Sequence, residues 1–376
     1  MRNIRHLDAR QACALACSAA AFVVFPCVLF ACGSQDEVGD GHWNGTAVDA
    51  SFDGTFELAD AYPTTDPDPD GGTRAAPSFG DGGTSTTTSA DCTGKTIGSG
   101  DPFITLTSDN LLRDAYLHVP ASYDKTKPTE LVVNFHGFTS NAPEQIVLTR
   151  MNRAADSRNV IVAYPDGVGA SWNAGDCCGD SWTNSVDDVQ FTKDLLSKLE
   201  NDYCIDPKKV FATGFSNGGF FSHRLGCGMS DVFGAIAPVS GVFGQDPTTC
   251  TPKRAMPVLD FHGTGDPIVP YNGGTPVIPI DLGSAFISFR SVPVTVDAWR
   301  QIDGCLGSGS VIYQNGDATC TEYSQCRSGS VVTHCKIDDG GHEWPGGVAV
   351  PFLGNTSNDI SATDTILNFF DAHPLP

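Results

Sequence analysis

Basic residues are scarce in this chain of 376 residues, since Lys and Arg number 22 against 44 Asp and Glu and the formal net charge is −22. Such a surface repels the phosphates of nucleic acids and the anionic headgroups of membranes, so we expect no nucleic-acid partner. A neutral or apolar ligand suits this charge better than a polyanion. Hydrophobic residues make up 40% of the chain, which is enough for a sizeable globular core.

Patterns that bind metal ions are also missing. The sequence has no C-x-x-C pair, and its nine histidines form no cluster at the spacing of zinc ligands. Residues 66–71 have the D-x-D-x-D-G pattern of a calcium loop, but Pro77 stands at the twelfth position, where a bidentate glutamate is needed. We therefore expect no metal site and no cofactor.

Residues 1–31 have the layout of a secretory signal, in which a basic start precedes an apolar run. Arg2, Arg5 and Arg10 are followed by an apolar stretch at 12–31. The motif LFACG at 29–33 resembles a bacterial lipoprotein signal, in which the cysteine, here Cys32, becomes a lipid anchor in the outer membrane. Plain secretion and an uncleaved membrane anchor are the alternatives. Each predicts an exported protein, outside the cell or on its surface.

The next segment, residues 33–91, is rich in Asp, Gly, Thr, Ser and Pro. Such a composition cannot bury enough apolar surface to offset the entropy lost on ordering, so we predict a flexible tether. From Cys92 the pattern changes, and we predict that 92–376 forms one folded domain. We see no additional carbohydrate-binding or polymer-binding module, and we expect a monomer.

Cysteines are plentiful for an exported protein. Of fourteen, Cys13, Cys17, Cys27 and Cys32 fall in or directly after the signal, and the other ten are an even number. We expect these ten to form disulfides. Their pairing cannot be read from spacing, although two local bridges are expected among the four at 305, 320, 326 and 335.

Strand-like apolar runs alternate with helical segments from Cys92 to the C-terminus. The alternation favours an α/β fold whose mostly parallel sheet is covered by helices on both faces. Catalytic groups in such folds gather beyond the carboxyl ends of the strands. The predicted strands are 103–106, 115–119, 131–136, 160–164, 210–212, 235–239, 258–261 and 330–337, and the predicted helices are 143–158, 186–203, 220–225, 294–302 and 360–371.

The segment 210–219, VFATGFSNGG, predicts a nucleophilic serine. An apolar strand runs into G-x-S-x-G and then into a helical segment, which is the layout of a nucleophile elbow centred on Ser216. Side chains two residues from the serine would collide in so sharp a turn, which explains Gly214 and Gly218. A Gly-rich turn before a helix is the structural alternative, so the decision depends on partners elsewhere in the chain.

Candidate partners follow two later strands. His342 lies in a Gly-rich loop after the last predicted strand, where an imidazole can reach over the elbow, whereas His334 lies inside that strand. Asp266 follows the strand at 258–261 and is the better candidate than Asp260, which lies within it. The order Ser216, Asp266, His342 matches that of α/β-hydrolases.

An oxyanion hole and a substrate cleft are predicted from other positions. The backbone N–H groups of Asn217 and Phe138 are the candidate donors to a developing oxyanion. His136 and His262, each followed by Gly, are more typical of turn supports than of catalysts. Trp172 and Trp344 are candidates to line a cleft for an aromatic acyl group, with packing in the core or at its rim as the alternative.

Several motifs together carry a family resemblance. They are HGF at 136–138, YPDG at 164–167, SWN at 171–173, CCG at 177–179, VDDV at 186–189, GFSNGG at 214–219, HGTGD at 262–266 and GHEWPG at 341–346. In combination they resemble the secreted polyhydroxybutyrate depolymerases and feruloyl esterases, akin to carbohydrate esterase family 1. The resemblance covers 92–376 and not the tether.

The resemblance implies that 92–376 is the catalytic domain of a serine esterase with an α/β-hydrolase fold. Ser216, Asp266 and His342 would be its catalytic triad, with no cofactor. The substrate would be a polyhydroxybutyrate-type polyester or a feruloyl or acetyl ester of plant cell-wall polysaccharide. A serine peptidase of the same fold and a non-catalytic surface lipoprotein that uses the fold for binding are the alternatives.

Overall fold

A mixed sheet organises the part of the protein that the computed structural model describes, residues 76–79, 90–278, 288–350 and 352–376. These residues all lie within one compact unit, Leu58–Pro376. The predicted signal, Cys32, the calcium-like loop and most of the predicted tether lie outside the described residues. Among the described residues the strands are β1 Phe103–Ser108, β2 Leu111–His118, β3 Thr129–Phe135, β4 Ile161–Pro165, β5 Ile205–Phe215, β6 Ile236–Val239, β7 Val258–Gly263, β8 Ser310–Asn315, β9 Ala318–Tyr323 and β10 Val332–Ile337.

The strand order is β1-β2-β4-β3-β5-β6-β7-β10-β9-β8. From β4 to β10 every neighbouring pair is parallel, whereas β1 and β2 at one edge and β8 and β9 at the other pair antiparallel. Every residue of β3 and β4 is buried, as expected for strands covered on both faces. The predicted α/β-hydrolase fold is confirmed.

Helices lie over the sheet and complete two apolar clusters. Along β3 the clusters alternate, since Leu131 and Val133 belong to one and Val132 to the other. Phe191 and Leu195 of the helix Asp188–Asp202 complete the first cluster, and Phe370 of the helix Ala362–Ala372 completes the second. The described helices are α1 Ala142–Thr149, α2 Met151–Arg158, α3 Gly179–Thr183, α4 Asp188–Asp202, α5 Asn217–Gly228, α6 Val292–Asp303 and α7 Ala362–Ala372.

The structure differs from the sequence prediction in several places. The helix predicted at 143–158 is two helices, because Arg150 adopts a left-handed conformation (φ 51°) and ends α1. The hairpin β8–β9 was not predicted, because its strands carry many polar residues and lie at the sheet edge. Residues 76–79 are not a free tether: the Phe79 ring lies 5.0 Å from that of Phe369, and Asn368 Nδ2 donates to Pro77 O at 3.1 Å.

All ten cysteines of the predicted domain are paired, as expected from their even number. Two local bridges, Cys305–Cys326 and Cys320–Cys335, confirm the prediction for that group. The other bridges are Cys92–Cys204, Cys177–Cys178 and Cys227–Cys250. In the described part of the chain, no helix has both the length and the apolar character needed to cross a bilayer.

Candidate active site

Ser216 stands at the sharp turn between β5 and α5, as the sequence predicts. Its backbone has φ 53° and ψ −119°, a conformation that costs energy for a residue with a side chain. The serine N–H donates to Val239 O of the neighbouring strand β6 at 2.9 Å, which holds the turn against the sheet. The side chain is only partly buried. The strained geometry therefore presents a hydroxyl beyond the carboxyl end of β5.

The two glycines that flank the serine are required by close backbone packing. A Cβ on Gly214 would lie 2.6 Å from the carbonyl carbon of Gly218, and a Cβ on Gly218 would lie 2.1 Å from Phe135 O. Neither neighbour is a flexible side chain, so the backbone itself would have to move. This is the steric reason that the G-x-S-x-G spacing predicts.

Gly218→Ala is expected to lower esterase activity by about 100-fold, because even a shift of about 1 Å at the turn misplaces the serine. The matched control is Gly228→Ala, ten residues later on the same helix, where an added Cβ meets nothing within 4 Å. That control is expected to keep full activity and to gain up to about 1 kcal/mol in stability. Steady-state kinetics and denaturant unfolding of both variants test this, and equal activity in the two would contradict it.

Asp266 and His342 are brought into contact by two paired strands. β7 and β10 are parallel neighbours, so the loops after them begin at the same edge of the sheet. His342 Nδ1 lies 2.7 Å from Asp266 Oδ2, and both side chains are buried. The backbone N–H groups of Ile268 and Val269 each donate to Asp266 Oδ1 at 2.8 Å. The aspartate therefore fixes the orientation of the imidazole through its Nδ1 atom.

The charge state of Asp266 follows from these contacts. Burial by itself would raise the pKa of the carboxyl group, but the charge of His342 and the hydrogen bonds from His262 and His342 lower it well below its usual range. Asp266 is thus an ionised acceptor at neutral pH. An ionised carboxylate at this place stabilises a protonated imidazole, as an orienting acid must.

His342 lies beside the elbow. Its ring is 4.9 Å from that of Phe215, the residue that precedes the serine, and its backbone N–H donates to Leu353 O at 2.7 Å. The structure thus gathers all three predicted residues at one edge of the sheet, with Asp266 and His342 in direct contact. A hydroxyl, an imidazole and a buried carboxylate in this arrangement can perform nucleophilic acyl transfer.

The predicted oxyanion donors lie next to the serine. A Cβ built on Gly137 would lie 3.4 Å from Ser216 Cβ, so the loop that carries Phe138 packs against the elbow. Asn217 is the first residue of α5, whose N-terminus no side chain caps. The first N–H groups of a helix have no partner within it, and they favour negative charge. Both segments can therefore offer backbone donors to an oxyanion.

His136 orients the first of these donors. Its Nε2 accepts from Gly167 N–H at 2.9 Å, so the proton is on Nδ1, which donates to Gly137 O at 2.7 Å. Burial lowers the pKa of His136 to about 4, so the ring is neutral at neutral pH. Since C=O and N–H lie on opposite sides of a trans peptide, fixing Gly137 O also fixes the direction of the Phe138 N–H. His136 is a turn support, as predicted.

The prediction that Trp172 and Trp344 line a substrate cleft is wrong. Both side chains are 0% exposed. Trp172 Nε1 donates to His136 O at 3.0 Å while its ring stacks on Phe221, and Trp344 Nε1 donates to Thr363 Oγ1 at 3.0 Å. Each indole thus has its polar atom satisfied inside the core and offers no surface to a substrate.

The side chain of Asn217 has a role that the sequence did not reveal. Its Oδ1 accepts from Trp172 N–H at 2.7 Å, and its Nδ2 donates to Trp172 O at 3.0 Å. These bonds tie the start of α5 to the loop after β4. The amide was missed because only its backbone N–H follows from the elbow pattern.

Comparison with known proteins places the chain. Feruloyl esterase B of Piromyces equi is 33% identical over 238 residues, which is 61% of this chain and 42% of that protein. The protein named "Putative esterase NocK" of Nocardia uniformis subsp. tsuyamanensis is 30% identical over 264 residues, or 65% of this chain and 74% of that protein. The chain belongs to the feruloyl esterase-like α/β-hydrolases. It spans less than half the length of feruloyl esterase B.

The structure of a CE1 ferulic acid esterase from Anaeromyces mucronatus in complex with ferulic acid matches with a TM-score of 0.46 and 15% identity, covering 74% of this chain and 94% of that one. No protein-family model matches the chain. Within its described residues, this α/β-hydrolase has no group of three or more His, Cys, Asp or Glu side chains arranged to hold a metal ion.

Proposed function

We propose that this feruloyl esterase-like α/β-hydrolase is an exported serine esterase that works through an acyl-enzyme. The observation that carries the proposal is the 2.7 Å contact between His342 Nδ1 and Asp266 Oδ2, beside a serine held at φ 53°. The contact supports a reaction in which Ser216 is the nucleophile, His342 the base and Asp266 the orienting acid.

The first half of the reaction forms the acyl-enzyme. Ser216 Oγ attacks the ester carbonyl carbon while His342 Nε2 takes the hydroxyl proton, and Asp266 stabilises the resulting imidazolium. The oxygen of the tetrahedral intermediate accepts from the backbone N–H groups of Asn217 and Phe138. His342 then gives the proton to the alcohol oxygen, and the bond to the alcohol breaks.

The second half releases the acid. A water molecule loses a proton to His342 and attacks the acyl carbon, and the same two backbone donors hold the oxyanion. The bond to Ser216 Oγ breaks as His342 returns the proton to it. The carboxylic acid leaves, and the serine hydroxyl is restored for another turnover.

Feruloyl esters, such as those of plant cell-wall polysaccharide, are the substrates that we favour, because a relative that matches 61% of this chain is named feruloyl esterase B. Acetyl esters and hydroxybutyrate polyesters use the same chemistry at the carbonyl group. Export is supported by the signal-like pattern at 1–31 and by the disulfides of the folded domain. The motif at 29–33 supports a lipid anchor through Cys32.

A panel of substrates tests this proposal, with the Ser216→Ala variant as the blank for each. We expect methyl ferulate to be hydrolysed with a higher kcat/KM than acetylated xylan, hydroxybutyrate oligomers or casein-derived peptides. Faster release of hydroxybutyrate or acetate would contradict the feruloyl substrate but would still support an esterase. Faster cleavage of peptides would identify a serine peptidase, and no turnover above the blank on any substrate would favour a binding module.

A further inference from the structure

A second histidine contacts the carboxylate of Asp266. His262 Nε2 lies 3.2 Å from Asp266 Oδ2, the same oxygen that His342 Nδ1 contacts at 2.7 Å. The His262 side chain is completely buried, and it comes from β7, four residues before the aspartate. The acyl-transfer steps described above do not use it.

The proton on Nε2 of His262 is fixed by its surroundings. Besides Asp266 Oδ2, this nitrogen lies 2.8 Å from Val269 O. Both neighbours are acceptors, so Nε2 carries a hydrogen whether the ring is neutral or charged. Val269 N–H in turn donates to Asp266 Oδ1 at 2.8 Å. His262, Asp266 and Val269 thus form a closed set of polar contacts at the end of β7, in which His262 Nε2 lies 2.8 Å from Val269 O and 3.2 Å from Asp266 Oδ2.

The carboxylate is held at both oxygens by this arrangement. Oδ1 accepts from the N–H groups of Ile268 and Val269, and Oδ2 receives His342 and His262. Without His262, Oδ2 would have His342 as its only partner among the described residues, and His342 must change its protonation state during each turnover. A donor from a rigid, buried strand keeps Oδ2 in place while that change occurs.

We propose that His262 is a positioning residue for ester hydrolysis, which holds Asp266 Oδ2 toward His342 and shares its negative charge. This inference rests on the proposed esterase function. His262 touches neither substrate nor Ser216, so its effect passes through Asp266. The sequence motif HGTGD at 262–266 contains both residues, four positions apart.

Other titratable groups also face His262. Burial by itself would lower its pKa, but the hydrogen bond and charge of Asp266 and the charge of Asp260 raise it above the usual value. Asp260 lies two residues earlier on the same face of β7, and its Oδ2 is hydrogen-bonded to His334 Nδ1 at 2.7 Å. His223 of α5 and Tyr271, whose ring centre lies 6.1 Å from that of His262, also face it. Lys336 of β10 is its partner in the strand register, and Glu343 lines a small cavity together with His262.

The test compares His262→Leu, which removes the donor, with His262→Gln, whose amide nitrogen can reach Asp266. We expect His262→Leu to lower kcat for 4-nitrophenyl acetate by about 10- to 100-fold, the range for a lost hydrogen bond to a charged group, with little change in KM. His262→Gln is expected to keep most of the activity. His373→Gln is the matched control. His373 follows α7 and contacts Phe369 O, and it lies on none of the segments that carry Ser216, Asp266 or His342.

The pH profile separates positioning from general damage to the fold. When His262 no longer shares the carboxylate, the whole negative charge of Asp266 acts on His342. The protonated form of the His342 imidazole is then favoured. The acid limb of kcat/KM in His262→Leu should therefore move to higher pH by about half a unit or more, and His262→Gln should keep the wild-type limb. A low-field proton resonance from the His342–Asp266 bond should shift or broaden in His262→Leu alone.

Two results would overturn the inference. One is a His262→Leu variant with kcat within about threefold of wild type. The other is an equal loss in the Leu and Gln variants with an unmoved acid limb, which would make His262 a residue of the core only. If Ser216→Ala retains activity, the proposed function fails; if it is inactive while His262→Leu is active, only the positioning role fails. If the Leu variant does not fold, the Gln variant and its pH profile still decide.

Discussion

Replacing Ser216 by alanine is expected to lower kcat for a short-chain nitrophenyl ester by about 10⁵-fold or more, because the variant lacks the hydroxyl that forms the acyl-enzyme. The fold should be unchanged, since the serine side chain makes no contact on which the turn depends: the strained φ of 53° is held by the backbone bond to Val239. Activity is measured together with the unfolding midpoint of the variant.

A surface serine supplies the control for this experiment. Ser157 of α2 donates only to Ala154 O, at 2.8 Å, and is exposed. Ser157→Ala should keep wild-type kcat, whereas Ser216→Ala should lose it at the same stability. The assignment of the nucleophile is wrong if Ser216→Ala retains more than about 1% of wild-type activity after contaminating esterase has been excluded by titration with an active-site phosphonate.

Asp266→Asn is expected to lower kcat by about 10⁴-fold, the loss seen when the orienting carboxylate of a serine triad becomes an amide. The carboxylate accepts from Ile268 and Val269 at one oxygen and from His342 at the other. An amide nitrogen facing His342 would present a donor to a donor, which turns the imidazole to the wrong tautomer and removes the charge that stabilises its protonated form.

The matched control for this substitution is in the His342 loop. Asp339 is exposed and has φ 56°, a conformation that asparagine accepts as readily as aspartate. Asp339→Asn removes one negative charge three residues from His342 and should leave kcat within about twofold of wild type, since exposed charges are screened. Similar losses in Asp266→Asn and Asp339→Asn would mean that charge near the loop, rather than orientation of the imidazole, sets the rate.

The site was predictable from sequence where its chemistry depends on local pattern. Two glycines at fixed spacing predict Ser216, because close backbone packing leaves no room for a side chain at either position. Asp266 and His342 were found because each follows a predicted strand, and parallel strands bring their carboxyl ends to one edge. The contact between them at 2.7 Å is the three-dimensional result of that rule.

Other features depend on packing that a linear pattern does not contain. Whether Trp172 faces a cleft or the core depends on which layer covers the loop after β4, and Phe221 of α5 covers it. The contact of His262 with Asp266 depends on the rotamer of a buried ring, so sequence supports only a turn residue at that position. The bridge between the adjacent Cys177 and Cys178 likewise could not be deduced from an even count of cysteines.

The bridge between Cys320 and Cys335 joins facing residues of β9 and β10, and β10 is the strand that leads into the His342 loop. Recombinant material made in a reducing cytosol would lack this covalent link between β9 and the strand that leads to His342. Expression should therefore be directed to the bacterial periplasm or a eukaryotic secretory pathway. Low specific activity of a cytosolic preparation would then report on incomplete oxidation rather than on poor chemistry.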